Sequence, residues 1–125
     1  MNQIRYESLA KYKYRLTDDL CLETGITGYY ARTDYIEIQP GGKLVLKSGY
    51  AWDGPSGPTW DTEDSMRGSA GHDALYQLMH LGVLPLSCKD EADKLLLKWV
   101  IEDGMSEFRA NYWYKGVSLF GRGHI

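Results

Sequence analysis

Up to about residue 50 the chain alternates polar and apolar positions, and beyond about residue 61 the period becomes helical. Lys11-Tyr12-Lys13-Tyr14-Arg15-Leu16 alternates charge with apolar bulk, as a half-buried strand does. Leu20 and Leu22 continue that pattern on either side of Cys21. Tyr35-Ile36-Glu37-Ile38 and Lys43-Leu44-Val45-Leu46 flank Pro40-Gly41-Gly42, which predicts a β-hairpin. Residues 9–50 are therefore expected to form a small, mostly antiparallel sheet.

The second half predicts three helices. Asp61 or Thr62 can cap the first, over Ser65–Leu81, with Met66, Ala70, Ala74, Leu78 and Leu81 as its apolar stripe. Gly82 and Pro85 end it. Ser87 and Asp90 have capping-box spacing for a second helix, Cys88–Glu102, with Leu96, Leu97, Val100 and Ile101 on its buried side. Gly104 stops that helix and Ser106 caps a third, on which Phe108, Tyr112, Leu119 and Phe120 share one side. The short 82–86 connection makes the first two helices antiparallel neighbours. Strands first and helices after give an α+β class in one domain. That domain has a β-rich part at about 9–50, a Gly/Pro loop at 51–61 and a helical part at 62–121.

Composition narrows the function classes. The 125 residues include 13% aromatics and 25% charged residues, which excludes a disordered chain. A net charge of −3 gives no electrostatic case for nucleic acid. No apolar run approaches the roughly 20 residues of a membrane span. The polar Met1–Leu9 segment lacks the apolar stretch of a secretory signal, so the chain is expected to start in a cytoplasm. Cys21 and Cys88 lack zinc-binding spacing and point to free thiols in a reducing compartment.

Two segments carry candidate chemistry. Gly49-Tyr50-Ala51-Trp52-Asp53-Gly54-Pro55-Ser56-Gly57-Pro58 fits neither period, and with Asp61 it offers several oxygen atoms in a short span. It is either a tight crossover between layers, with Asp53 capping a turn, or a loop that gathers oxygens around a cation. In Gly68-Ser69-Ala70-Gly71-His72-Asp73-Ala74-Leu75-Tyr76, small residues leave room beside His72, and Tyr76 lies one turn after it on the same face. Imidazole transfers protons near neutral pH, and Asp73 beside it can hold a cation. Asp93 shares a stripe with Leu96, Leu97 and Val100 and needs a partner there. From an antiparallel helix it can reach His72 or Tyr76, either to orient a catalytic imidazole or to form a buried network that fixes helix packing. His80, two turns after His72, and His124 near the end complete no His-Asp phosphohydrolase ligand set, and Gly54-Pro55-Ser56-Gly57 is not a Gly-x-Ser-x-Gly elbow, although Ser56 with His72 as base is a further option.

Together, Trp52-Asp53-Gly54-Pro55-Ser56-Gly57-Pro58, His72-Asp73-Ala74-Leu75-Tyr76, Ala92-Asp93-Lys94 and Tyr114-Lys115-Gly116-Val117-Ser118-Leu119-Phe120-Gly121 resemble a bacteriophage and prophage family, domain of unknown function 1353. That resemblance covers about residues 30–121 and implies a phage origin, so that the cytoplasm is a host's, with association with a virion as a later option. The order of Gly-rich loop, Asp, then His-Asp-x-x-Tyr is also similar to secreted phospholipase A2. That similarity implies His72 as general base, Asp73 with the 52–57 loop at a divalent cation such as calcium, and Asp93 as orienter. Phospholipase A2 differs in being rich in disulfides.

Three functions follow as expectations. The first is a small phage hydrolase acting on a lipid or cell-envelope ester or amide, with His72, Asp93 and Tyr76 catalytic, Asp73 and Asp53 at a metal, and Trp52, Gly54, Ser56 and Pro58 shaping the loop. The second is a virion or tail accessory protein without chemistry, made in the host cytoplasm. It binds other virion proteins through Tyr12, Tyr14, Tyr29, Tyr30, Trp60 and Trp113. The third is an inhibitor of a host protein.

Overall fold

A computed structural model describes residues 3–9, 13–54 and 62–120. The chain divides into two compact units, Met1–Asp53 and Gly54–Ile125. The first holds β1 (Tyr6–Leu9), β2 (Lys13–Leu16), β3 (Leu20–Glu23), β4 (Ala31–Arg32), β5 (Ile36–Ile38), β6 (Lys43–Leu46) and β7 (Ala51–Trp52). The second holds α1 (Glu63–His80), a 3-10 turn at Leu86–Cys88, α2 (Lys89–Glu102) and α3 (Glu107–Phe120). This is the expected α+β order. No helix among the described residues is long and apolar enough to cross a membrane.

Among the described residues, all the pairings in the first unit are antiparallel, in two sheets ordered β1-β2-β7 and β3-β6-β5-β4. Register follows from the side-chain alternation. Leu20, Leu46 and Ile36 form one cross-strand row and Leu22, Leu44 and Ile38 the next, all six buried. A one-residue slip would send every one of them to the opposite face, where Cys21, Val45 and Glu37 are only half-buried. The expected hairpin closes at Gly42, whose φ is +100°. A Cβ there would lie 3.1 Å from the Gly25 amide nitrogen, so the position accepts only glycine without strain. In the other sheet Tyr6, Tyr14 and Trp52 pack edge-on or tilted, and Tyr50 stacks on Trp52.

In the second unit α1 begins at Glu63, two residues before the expected start. Ser65 Oγ accepts from the Thr62 amide and donates to the Thr62 carbonyl, which ties the first turn to its cap. Met66, Ala70, Ala74 and Leu78 are buried as expected, while Leu81 is exposed because the helix has already ended at His80. The α1–α2 pair packs closely at Gly68. A Cβ there would stand 2.8 Å from Val100 Cγ1 and 3.2 Å from Leu96 Cδ1. Helix α2 is reached through the 3-10 turn, and its Cys88 cap makes no side-chain bond, so the Ser87–Asp90 capping box does not form. Its buried stripe runs Ala92, Leu96, Trp99, Val100, and Ile101 falls outside it.

Leu96, Val100, Met105, Ala110, Trp113 and Val117 make the core between α2 and α3. Ser106 Oγ accepts from the Arg109 amide at the start of α3, as a capping residue does. Phe108, Tyr112 and Leu119 face solvent, since α3 buries its opposite side.

Candidate functional site

Three helical residues expected to form the site come together in the second unit. His72 and Tyr76, one turn apart on α1, both reach Asp93 on α2. His72 Nε2 lies 2.7 Å from Asp93 Oδ1, and the Tyr76 hydroxyl donates to the same oxygen at 2.6 Å. The imidazole and phenol rings pack with centroids 4.2 Å apart. Burial is deep: His72 is 4% exposed and Asp93 1%.

A fourth member was not among the expected residues. Lys89, one turn before Asp93, donates from Nζ to Asp93 Oδ2 at 2.7 Å. The same ammonium donates to the Val117 and Ser118 carbonyls, each at 3.2 Å. Those carbonyls belong to the last turn of α3, where helical partners run out and the dipole favours a cation. Lys89 is itself buried, so its charge is balanced by Asp93 and its remaining donors are taken up by α3. The spacing of four between Lys89 and Asp93 was readable on a helix, but the need to cap α3 was not.

Burial alone would push the Asp93 carboxyl up; the hydrogen bonds from His72, Lys89 and Tyr76 outweigh it and hold the group below its ordinary value. Tyr76 moves the opposite way: burial, and then its bond to the Asp93 anion, push the phenol well above its usual range. An ionised carboxylate can only accept, so Nε2 of His72 is the donor in this contact. Among the described residues, no buried side-chain nitrogen or oxygen lacks a hydrogen-bond partner.

A second ion-pair cluster also joins α1 to α2. Buried Arg67 binds Glu102 Oε1 through Nη2 at 2.7 Å and Asp103 Oδ2 through Nε at 3.1 Å. It grips the end of α2 and its cap, about one turn before His72 on α1, which extends the α1–α2 seam in the antiparallel sense.

Asp73 is half-buried on α1. Asp53 is exposed in the first unit, and Trp52 is buried there in its aromatic cluster. Gly54 is buried with φ +85°. Ser56, Pro58, Trp60, Asp61, Tyr12 and His124 lie outside the described residues. Trp113, expected at a contact surface, is instead in the α2–α3 core. No group of three or more His, Cys, Asp or Glu that could hold a metal ion occurs among the described residues.

No family model matches the chain, nor does any curated protein or solved structure.

Proposed function

We propose that the chain is a small bacteriophage accessory protein that works through contact rather than catalysis, with His72, Tyr76, Lys89 and Asp93 serving to lock its helices. The observation that carries this reading is the closure of the network. Asp93 accepts from His72, Tyr76 and Lys89, and Lys89 spends its other donors on α3. The Asp93 charge is answered by a lysine, and all four side chains are withdrawn from solvent. A carboxylate so neutralised has less charge left to stabilise an imidazolium during turnover. Tyr30 and Tyr35, exposed beside β4 and β5, supply aromatic surface for a virion or tail protein. Phage origin rests on the loop and His-Asp-x-x-Tyr resemblance. In the test, the chain and its His72→Asn variant are added to phage particles lacking the protein. Both should bind, and neither should release product from phospholipid or peptidoglycan. Hydrolysis that His72→Asn abolishes without lowering the melting temperature would overturn the reading.

One observation favours a hydrolase instead. Asp93 engages Nε2 of His72, so Nδ1 is the nitrogen that would take a proton from water attacking a lipid or cell-envelope ester or amide. Asp93 would then be the orienting residue and Tyr76 its anchor. The same assay separates the two readings.

A further inference from the structure

The solvent side of α3 has a pattern that packing within its own unit leaves unused. Phe108, Tyr112, Lys115 and Leu119 recur at spacings of four, three and four, the seam of a coiled coil. Phe108 is 86%, Tyr112 54% and Leu119 72% exposed. Isolated exposed apolar residues are ordinary, but a contiguous helical stripe of them marks a contact surface. Phe108, Asn111, Tyr112 and Lys115, with Glu107 at the edge, line a shallow depression of about 250 Å³. Residues at i, i+3, i+4 and i+7 are the four that frame the hole for a knob from a facing helix.

We propose that this stripe pairs with the same stripe of a second copy of the chain, the two α3 helices running antiparallel about a two-fold axis. The seam is self-complementary about the point midway between Trp113 and Tyr114. There Phe108 of one copy meets Leu119 of the other, and Tyr112 meets Lys115, so each layer joins the two kinds of seam position as antiparallel coiled coils do. Charge selects this direction. A parallel pair would press Lys115 against Lys115 in the middle of the seam. The antiparallel pair lays each Lys115 stem along a Tyr112 ring, with its ammonium near the π face, and it also opposes the two helix dipoles. Half-buried Gly116 and exposed Ser118 flank the stripe and let the backbones approach.

The contact is one helix face per copy, at the low end of interface sizes, so a weak dimer with a dissociation constant on the order of tens of micromolar is expected. Pairing of this kind would hold for an enzyme as well as for an accessory protein. Sedimentation of the whole chain across a range of concentrations tests it. The chain should pass from monomer to dimer, and Tyr112→Glu, at an exposed position, should weaken association at least tenfold while leaving the circular dichroism spectrum unchanged. In a Cys21→Ser background, which removes the half-exposed native thiol, mild oxidation of a Phe108→Cys, Leu119→Cys double variant should link two copies, and neither single variant should do so. A chain that stays monomeric throughout, or a dimer that Tyr112→Glu leaves intact, would overturn the proposal. Cross-linking by either single variant would overturn the antiparallel direction.

Discussion

Lys89 and Asp93 stand one turn apart on α2 with Nζ and Oδ2 2.7 Å apart, and both are buried. The pair joins three helices, because Asp93 also receives His72 and Tyr76 from α1 while Lys89 reaches the last carbonyls of α3.

Removing one charge of this pair should cost more than removing both. Asp93→Asn leaves the Lys89 ammonium buried without its anion, and destabilisation of about 3–5 kcal/mol is expected, as for other broken buried pairs. The Lys89→Met, Asp93→Asn double variant removes the unpaired charge and should recover part of the loss. Urea denaturation of the wild type, both single variants and the double variant gives the coupling. Simple additivity would refute it.

Stability should fall at both ends of the pH scale for different reasons. Asp93 is held below its ordinary 3.8, so its contribution is present above that value and is lost as pH falls through the lower folded-state value. Tyr76 is held above its ordinary 10.0, so its contribution is complete below pH 10 and is lost as pH rises beyond it. In melting curves Tyr76→Phe should flatten the alkaline limb. It should also cost about 1.5–3 kcal/mol near neutrality, since the lost hydrogen bond is to a charged group.

Gly68→Ala should destabilise the chain although alanine is the better helix former. The gain in helix propensity is about 1 kcal/mol, whereas overpacking costs about 1–3 kcal/mol. The added methyl would sit 2.8 Å from Val100 Cγ1, inside any real contact distance. Val100→Ala opens that space, so in the double variant the urea midpoint should fall by less than the sum of the two single changes.

Leu44 lies between Leu22 and Ile38 in the sheet and is fully buried. Leu44→Ala should cost about 2–5 kcal/mol, from lost burial and the cavity left behind. Val45→Thr, on the half-buried opposite face, should change stability by less than 1 kcal/mol. Denaturant midpoints of the two variants check the register directly.

The hairpin at Ile36–Leu46 was legible because alternation and a Pro-Gly-Gly turn say the same thing. The meeting of His72, Tyr76 and Asp93 was legible because an acid on an apolar stripe must find a donor and the short 82–86 connection limits where it can look. Lys89 was not legible, since its role depends on where the end of α3 lies in space. The orientation of α3 was hidden for a related reason. Phe108, Tyr112 and Leu119 share one apolar side and Ala110, Trp113 and Val117 another, and periodicity alone does not say which side α2 covers. Leu81 fits its stripe by spacing but follows the last residue of α1, and Ile101 lies on the exposed side of α2 next to buried Trp99 and Val100.

The grip of Lys89 on the Val117 and Ser118 carbonyls also sets how the helical unit opens. A last helix held only by its apolar face frays from its free end, and its amides exchange with solvent early. Here the final turn of α3 is anchored to a charge that cannot leave without exposing Asp93 and, through it, α1. Hydrogen exchange across α1, α2 and α3 should therefore converge on one protection level, with the three helices opening as a single cooperative unit.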